Sequence, residues 1–228
     1  MAVSRMSDIF FKHIPVLLKE AVDQLVTAPG GTYVDATFGR GSHSLEILNR
    51  LNAQGRLIAF DKDPEAIQAA KTIIQDERFS IYHASFAALQ IVLQNVNAWG
   101  KVTGILFDLG VSSPQLDDPE RGFSFVREGK LDMRMDTSRG KSAMEWLAEI
   151  DEAELANVLW LYGEEKFSRR IARAIVKARE EKPIMTTAAL AEIISRAIPF
   201  KKMQKIFTRG PGRRISRSKL ATMTISLY

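Results

Sequence analysis

The chain has 228 residues, 46% hydrophobic and 26% charged, the balance of an ordinary globular protein of one large domain or one domain with an insertion. It contains no cysteine, which excludes disulfides, thiolate metal sites and cysteine nucleophiles, and no metal is expected. No apolar run approaches the ~20 residues of a membrane span, and the N-terminus lacks the basic-then-apolar order of a signal peptide, so a cytoplasmic enzyme without a membrane partner is expected.

The formal net charge is +5, which invites a nucleic-acid partner. Its distribution weakens that argument. Residues 201–228 hold Lys201, Lys202, Lys205, Arg209, Arg213, Arg214, Arg217 and Lys219 and no acid. With those eight set aside, 24 basic side chains face 27 acidic ones in residues 1–200, so the basic excess lies entirely in the tail.

In chain order, residues 15–25 place Val16, Leu17, Ala21, Val22 and Leu25 on a helical stripe. Strands are then predicted over 32–36, 56–61, 79–84 and 103–108, with helices over 44–52, 64–75 and 86–95 between them. Pro64 suits a first helical turn, where its missing N–H would be unpaired anyway. This alternation implies a parallel sheet with helices on its faces. Residues 114–140 are turn-rich and charged, and 142–198 read as three helices. Ser142 with Glu145 makes a capping-box start, Asp151 with Glu154 resembles one, and a short last helix runs over 187–197.

The first predicted strand runs into Val34-Asp35-Ala36-Thr37-Phe38-Gly39-Arg40-Gly41-Ser42-His43-Ser44. Glycines there let the backbone pass close under a ligand before the helix starts. Asp61 ends the second strand, 20 residues beyond Gly41, where a carboxylate can accept hydrogen bonds from ribose hydroxyls. Gly39-x-Gly41 alone is a weak signal; joined to Asp61 on a βαβ pattern it points to nucleoside binding. Ser44 stands where the NAD fingerprint has its third glycine. Asp35, just before the glycine turn, suits the cationic sulfonium and ammonium of S-adenosylmethionine and would repel a pyrophosphate; the alternative is that it only caps the loop. Phe86 either packs on an adenine ring or starts a helix from the core. The fourth strand ends in Phe107-Asp108-Leu109-Gly110-Val111-Ser112-Ser113-Pro114-Gln115, so Asp35, Asp61 and Asp108 are expected on one sheet edge, where open α/β sheets bind ligands.

The chain resembles the ribosomal RNA small subunit methyltransferase H (MraW-like) family. The likeness is carried by His13-Ile14-Pro15-Val16-Leu17-Leu18-Lys19-Glu20-Ala21-Val22, by the stretch from Asp35 to Ser44, and by Asp108-Leu109-Gly110-Val111-Ser112-Ser113-Pro114-Gln115-Leu116-Asp117. It continues through Arg121-Gly122-Phe123-Ser124-Phe125, Leu131-Asp132-Met133-Arg134-Met135-Asp136 and Tyr162-Gly163-Glu164-Glu165-Lys166-Phe167, and covers about residues 10–200. The resemblance implies a Rossmann-like class I methyltransferase sheet with a helical insertion domain, S-adenosylmethionine as cofactor, and methylation of N4 of a cytosine in the decoding region of 16S rRNA in the small ribosomal subunit. It also implies cofactor contacts at Gly41, Ser42, His43, Asp61, Phe86, Asp108 and Gln115, to which the local reading adds Asp35 and Gly39. Many relatives carry Gly where Ser42 stands, and His43 could instead cap its helix.

A cytosine amine is a poor nucleophile because its lone pair is delocalised, and a group accepting its N–H bonds would help. Asp108 is the candidate catalytic acceptor, with backbone carbonyls of the 109–114 loop. Many amino-group methyltransferases place an Asn/Asp-Pro-Pro-aromatic motif here; this chain has Ser112-Ser113-Pro114 without the aromatic, so Phe123 or Phe125 is the candidate for base stacking. Lys166, Arg170, Arg173 and Lys177 recur at helical spacing opposite Phe167, Ile171, Ala174 and Ala178, and form a candidate RNA-binding stripe or simply a solvated face. Asp132, Arg134 and Asp136 alternate as an ion-paired loop would.

Three segments are therefore expected: 1–113 as the N-terminal part of the cofactor-binding domain, 114–200 as the helical insertion, and 201–228 as an atypical basic tail. Beyond about residue 205 relatives continue into a His-Pro-Ala-Thr-Arg-like segment; here Phe207-Thr208-Arg209-Gly210-Pro211-Gly212-Arg213-Arg214 follows instead. The tail suggests a truncated or frameshifted product, whose sheet would lack its C-terminal strands and leave residues 104–107 as an exposed apolar edge with reduced stability and little activity. The alternatives to the leading function are a DNA or small-molecule methyltransferase, a non-catalytic RNA-binding remnant, and an NAD oxidoreductase.

Overall fold

The computed structural model describes residues 17–125 and 127–198. The 201–228 tail and the first residues of the opening motif lie outside them. The chain divides into two compact units, one of residues 17–112 with Met135–Ser138, the other of Ser113–Arg134 with residues 139–198.

The first unit is built on four parallel strands, β1 (Thr32–Asp35), β2 (Arg56–Asp61), β3 (Phe79–His83) and β4 (Val102–Leu106), in the order β3-β2-β1-β4. The connecting helices are α1 (Leu18–Leu25) before β1, α2 (Ser42–Arg50), α3 (Pro64–Ile73) and α4 (Leu89–Asn95). Strand residues alternate between two apolar layers, as a period of two requires. Tyr33, Leu57 and Ala59 pack with Val22, Ile47, Leu48, Ala66 and Ala70 on one face. Val34, Ala36, Ile58 and Phe60 pack with Leu93 and Ala98 on the other.

Successive strands run outward from β1 to β3, and β4 then returns to the far side of β1. The reversal of direction falls between β1 and β4, which makes that pair the switch point of the sheet. Among the described residues β4 pairs with β1 alone. Val34 is level with Ile105, so Ile105 and Phe107 belong to the α4 face, where both are exposed.

Local chemistry sets the element ends. Gly41 precedes α2 at φ 82°, and a Cβ there would meet the Phe38 ring at 2.7 Å, so the turn requires glycine on two counts. Asp63 caps α3 by accepting from Glu65 N at 3.0 Å, with Pro64 in the first turn. Helix α2 begins two residues earlier than its apolar period suggests, because Gly41 in the left-handed region already supplies the break. Strand β4 ends at Leu106, which leaves Phe107 and Asp108 beyond the ladder.

Among its described residues the second unit contains α5 (Ser113–Asp117) and four further helices, α6 (Ala143–Glu149), α7 (Glu152–Leu161), α8 (Ser168–Glu181) and α9 (Thr187–Ala197). Three helices were expected over 142–198; there are four. Ile150 leaves the helical region, and Asp151 at once caps the next helix by accepting from Glu154 N at 3.0 Å, splitting what periodicity alone joins. Ser142 and Glu145 form the reciprocal capping box of α6. Leu147, Leu155, Leu159, Ile171, Ile175, Leu190 and Ile194 are buried, and α8 packs against both α7 and α9.

Candidate functional site

Asp35, Asp61 and Asp108 stand at the carboxyl ends of β1, β2 and β4. Parallel pairing puts all three on one rim: Asp35 is level with Ala59 and with Leu106, and Asp61 and Asp108 lie two residues further along. Their environments differ, and so do their roles.

Asp35 is fully buried. Its Oδ1 accepts from Thr37 N at 3.1 Å and its Oδ2 accepts from the Ser44 hydroxyl at 2.7 Å. The carboxylate therefore ties the turn after β1 to the first turn of α2. Of the two readings of Asp35, the geometry favours the loop cap over the direct cation contact. Its partners also remove the need for a ligand to compensate its burial. Burial raises its pKa above the usual carboxylate value, with Ser44, Thr37 and His43 opposing that and Asp61 adding to it.

Asp61 is half-buried. Oδ2 accepts from Gly39 N at 2.7 Å and Oδ1 from Asp63 N at 2.8 Å. Burial again raises its pKa, against the lowering effect of those amides. The Lys62 amide also donates to this carboxylate, which leaves acceptor capacity for a ribose hydroxyl.

Asp108 is different: its side chain is 64% exposed, with Oδ2 3.9 Å from His43 Nδ1. Its backbone N–H donates to the Thr37 hydroxyl at 2.7 Å. His43 itself is buried in the first turn of α2 beside Ser42. Gly39 and Gly41 both adopt positive φ and shape the turn around Asp61 and Phe38.

Phe86 opens a short 3-10 helix after β3, capped by Ser85. Its ring is 42% exposed and meets that of Phe107 edge-on, at 5.6 Å and 86°. Phe86 is thus not a core residue, although it does start a short helix. Phe107 and Thr37 are site neighbours that the motifs alone do not single out. An apolar residue at a strand end and a Thr two positions after an aspartate, the spacing of an aspartate-capped turn, are the signals that mark them.

His83 ends β3, and its Nε2 lies 3.0 Å from the Lys62 carbonyl oxygen and 3.6 Å from Asp136 Oδ1. Asp136 therefore serves within the first unit, while Asp132 pairs with Arg134 at 2.6 Å in the second. The Asp132–Arg134 pair is the one that the alternation leads one to expect.

In the second unit Gln115 is buried on α5. Phe123 is 4% exposed, so its ring is a packing element and unavailable for base stacking; Phe125 is half-buried. Arg170, Arg173 and Lys177 line the exposed side of α8. Lys166 does not belong to that helix, which starts at Ser168, although it is exposed. The buried face is Ser168, Ile171, Ala172 and Ile175, rotated from the expected one. Arg169 joins the exposed basic side, and Arg173 is held by Glu152 at 3.4 Å.

A parallel sheet with a glycine turn after β1, an acceptor carboxylate at the tip of β2 and an aromatic after β3 defines an open α/β domain of the nucleoside-binding class. The chain belongs to the MraW methylase family, whose profile matches residues 10–216. It is 58% identical over 189 residues to ribosomal RNA small subunit methyltransferase H of Pseudoalteromonas atlantica, covering 83% of this chain and 61% of that protein. Proteins of the same name from Alteromonas mediterranea and Idiomarina loihiensis are 56% identical over 191 residues and 55% identical over 194, covering 84% and 85% of this chain and 61% and 62% of theirs. The chain thus spans about three fifths of the length of these curated relatives.

Proposed function

We propose that this chain provides the cofactor-binding part of an S-adenosylmethionine-dependent methyltransferase acting on N4 of a cytosine in 16S rRNA of the small ribosomal subunit, in the cytoplasm. The observation that carries the reading is the rim itself: Asp61 ends β2 and Asp108 follows β4, the strands on either side of β1, with Phe86 exposed beyond β3.

That donor set fits the cofactor. Asp61 has acceptor capacity left for a ribose hydroxyl, Phe86 offers an apolar ring for adenine, and the carboxylates favour a cation over a pyrophosphate. Gly39, Gly41, Ser42 and His43 shape the turn after β1, and Asp35 braces that turn. When bound, S-adenosylmethionine supplies an electrophilic methyl group on a sulfonium.

The chain's own residues then place the nucleophile. The exposed Asp108 carboxylate accepts an N–H hydrogen bond from the cytosine amine and thereby favours localisation of its lone pair. Holding nitrogen in line with the methyl carbon is the remaining task, and it is one of positioning. Arg169, Arg170, Arg173 and Lys177, with Lys166 ahead of them, present positive charge to RNA phosphates.

Methyl transfer from labelled S-adenosylmethionine to unmodified small subunits, run beside free DNA, tests the proposal. Label in 16S rRNA, at the low level expected of the cofactor-binding part alone, is the expected result. Preferential label in DNA would contradict the substrate, and no transfer by a chain that binds the cofactor would contradict the activity.

A further inference from the structure

The last backbone rungs at the sheet rim show how the switch point is held. Ala36 N donates to Leu106 O at 2.9 Å, on the β4 side of β1. Phe38 N donates to Phe60 O at 2.9 Å, on the β2 side. Between them Thr37 uses its backbone N–H on Asp35, so the main chain of β1 has no further N–H to offer β4. The Thr37 hydroxyl takes over: it accepts the Asp108 N–H at 2.7 Å, one step beyond the last ladder bond. A side chain thus extends the β1–β4 pairing at the place where the two strands part and a ligand crevice is expected.

We propose that Thr37 is a positioning residue of the cofactor site: by anchoring the Asp108 backbone to the turn after β1, its hydroxyl sets where the exposed Asp108 carboxylate stands. The inference rests on the reading that this rim takes S-adenosylmethionine. Without the anchor, Asp108 begins an exposed stretch that runs through Leu109 and Gly110, with Gly110 at φ 150° and no atom close to where its Cβ would be. Thr37 also links Asp35 to Asp108 through one residue, since its backbone bonds to the first and its hydroxyl to the second. Turn, brace and the Asp108 backbone are therefore joined in one hydrogen-bonded unit.

Thr37→Val keeps the branched shape and removes the acceptor, whereas Thr37→Ser keeps the hydroxyl. Three readouts separate positioning from a merely structural role: melting temperature without ligand, calorimetric affinity for S-adenosylmethionine, and hydrogen exchange of the Asp108 amide. Thr37→Val is expected to melt within a few degrees of the parent, to speed exchange at Asp108, and to weaken affinity about five- to tenfold, the scale of one lost hydrogen bond. Thr37→Ser is expected to restore both exchange and affinity. If the valine variant does not fold, Thr37→Ala takes its place in the same comparison. Parental affinity and exchange in Thr37→Val, or a serine variant as impaired as the valine one, would overturn the inference while leaving the binding site standing. A parent chain that binds no S-adenosylmethionine would overturn the site and the inference together.

Discussion

The Gly39 amide donates to Asp61 Oδ2 at 2.7 Å, which ties the turn after β1 to the tip of β2. The second oxygen of the same carboxylate holds Asp63 N at 2.8 Å, just where α3 begins. One side chain therefore fixes the glycine turn, the start of a helix and the acceptor proposed for ribose.

That double acceptance makes the amide substitution worse than its size suggests. In Asp61→Asn one oxygen can serve one of the two N–H donors, while the new NH2 group faces the other. Asp61→Ala instead leaves both donors to solvent or to relaxation of the turn. Urea unfolding is expected to show Asp61→Asn at least as destabilised as Asp61→Ala, each by about 1–3 kcal/mol, the range for an amide left without its acceptor.

Asp35 gives a pH signature. Burial raises its folded-state pKa above the unfolded value, so the folded state binds the proton more tightly. Stability from this group is present below the unfolded pKa and declines as pH rises through that value toward the raised one. Asn at this position can accept from Thr37 N through its oxygen and donate to the Ser44 oxygen through its amide, so Asp35→Asn retains both bonds without the buried charge. Melting temperatures across pH 4 to 7 are expected to show the parent losing ground steadily to Asp35→Asn as pH rises. A constant difference would remove the burial argument.

Gly41→Ala meets two obstacles, a left-handed φ of 82° and a Phe38 ring 2.7 Å from the new Cβ. A loss of about 2 kcal/mol or more is expected by denaturant unfolding, from backbone strain of about 1–3 kcal/mol with the clash added. Gly140→Ala is the matched control: its φ of 76° is equally left-handed but no atom lies near the added Cβ, so only the strain contribution should appear.

The strands of the first unit are legible in the sequence because each is a short apolar run between turn residues, and the parallel order follows from the helices between them. The rim is legible because Asp61 and Asp108 end such runs. The function of Asp35 is harder to read. Whether an acid after a strand faces a ligand or its own turn depends on Ser44, nine residues away, and on a backbone amide that sequence does not orient. Thr37 escapes notice for a similar reason: its partner is 71 residues distant. The break between α6 and α7 is obscured because apolar residues continue through it, while a backbone turn at Ile150 and the Asp151 cap decide the boundary. Phe123 reads as an aromatic in a functional motif, and only packing shows that its ring is buried.

Arg170 and Lys177 lie on α8 away from its buried face. Replacing both with Ala is expected to leave melting temperature and S-adenosylmethionine affinity unchanged. Binding to 16S rRNA fragments should weaken, and the slope of log affinity against log salt should fall by about 0.7 for each single-stranded phosphate that is no longer neutralised. An unchanged slope would show that this helix face is simply solvated.

Isothermal titration of the chain with S-adenosylmethionine tests the central claim most directly, with Asp61→Ala and Phe86→Ala alongside. Saturable binding near one cofactor per chain, displaced by S-adenosylhomocysteine and weakened at least tenfold in Asp61→Ala and at least fivefold in Phe86→Ala, is the predicted result; the scales are those of a lost charged hydrogen bond, about 1.5–3 kcal/mol, and of a lost base–aromatic stack, about 1–3 kcal/mol. No binding by the parent chain, or binding that both variants retain in full, would contradict it.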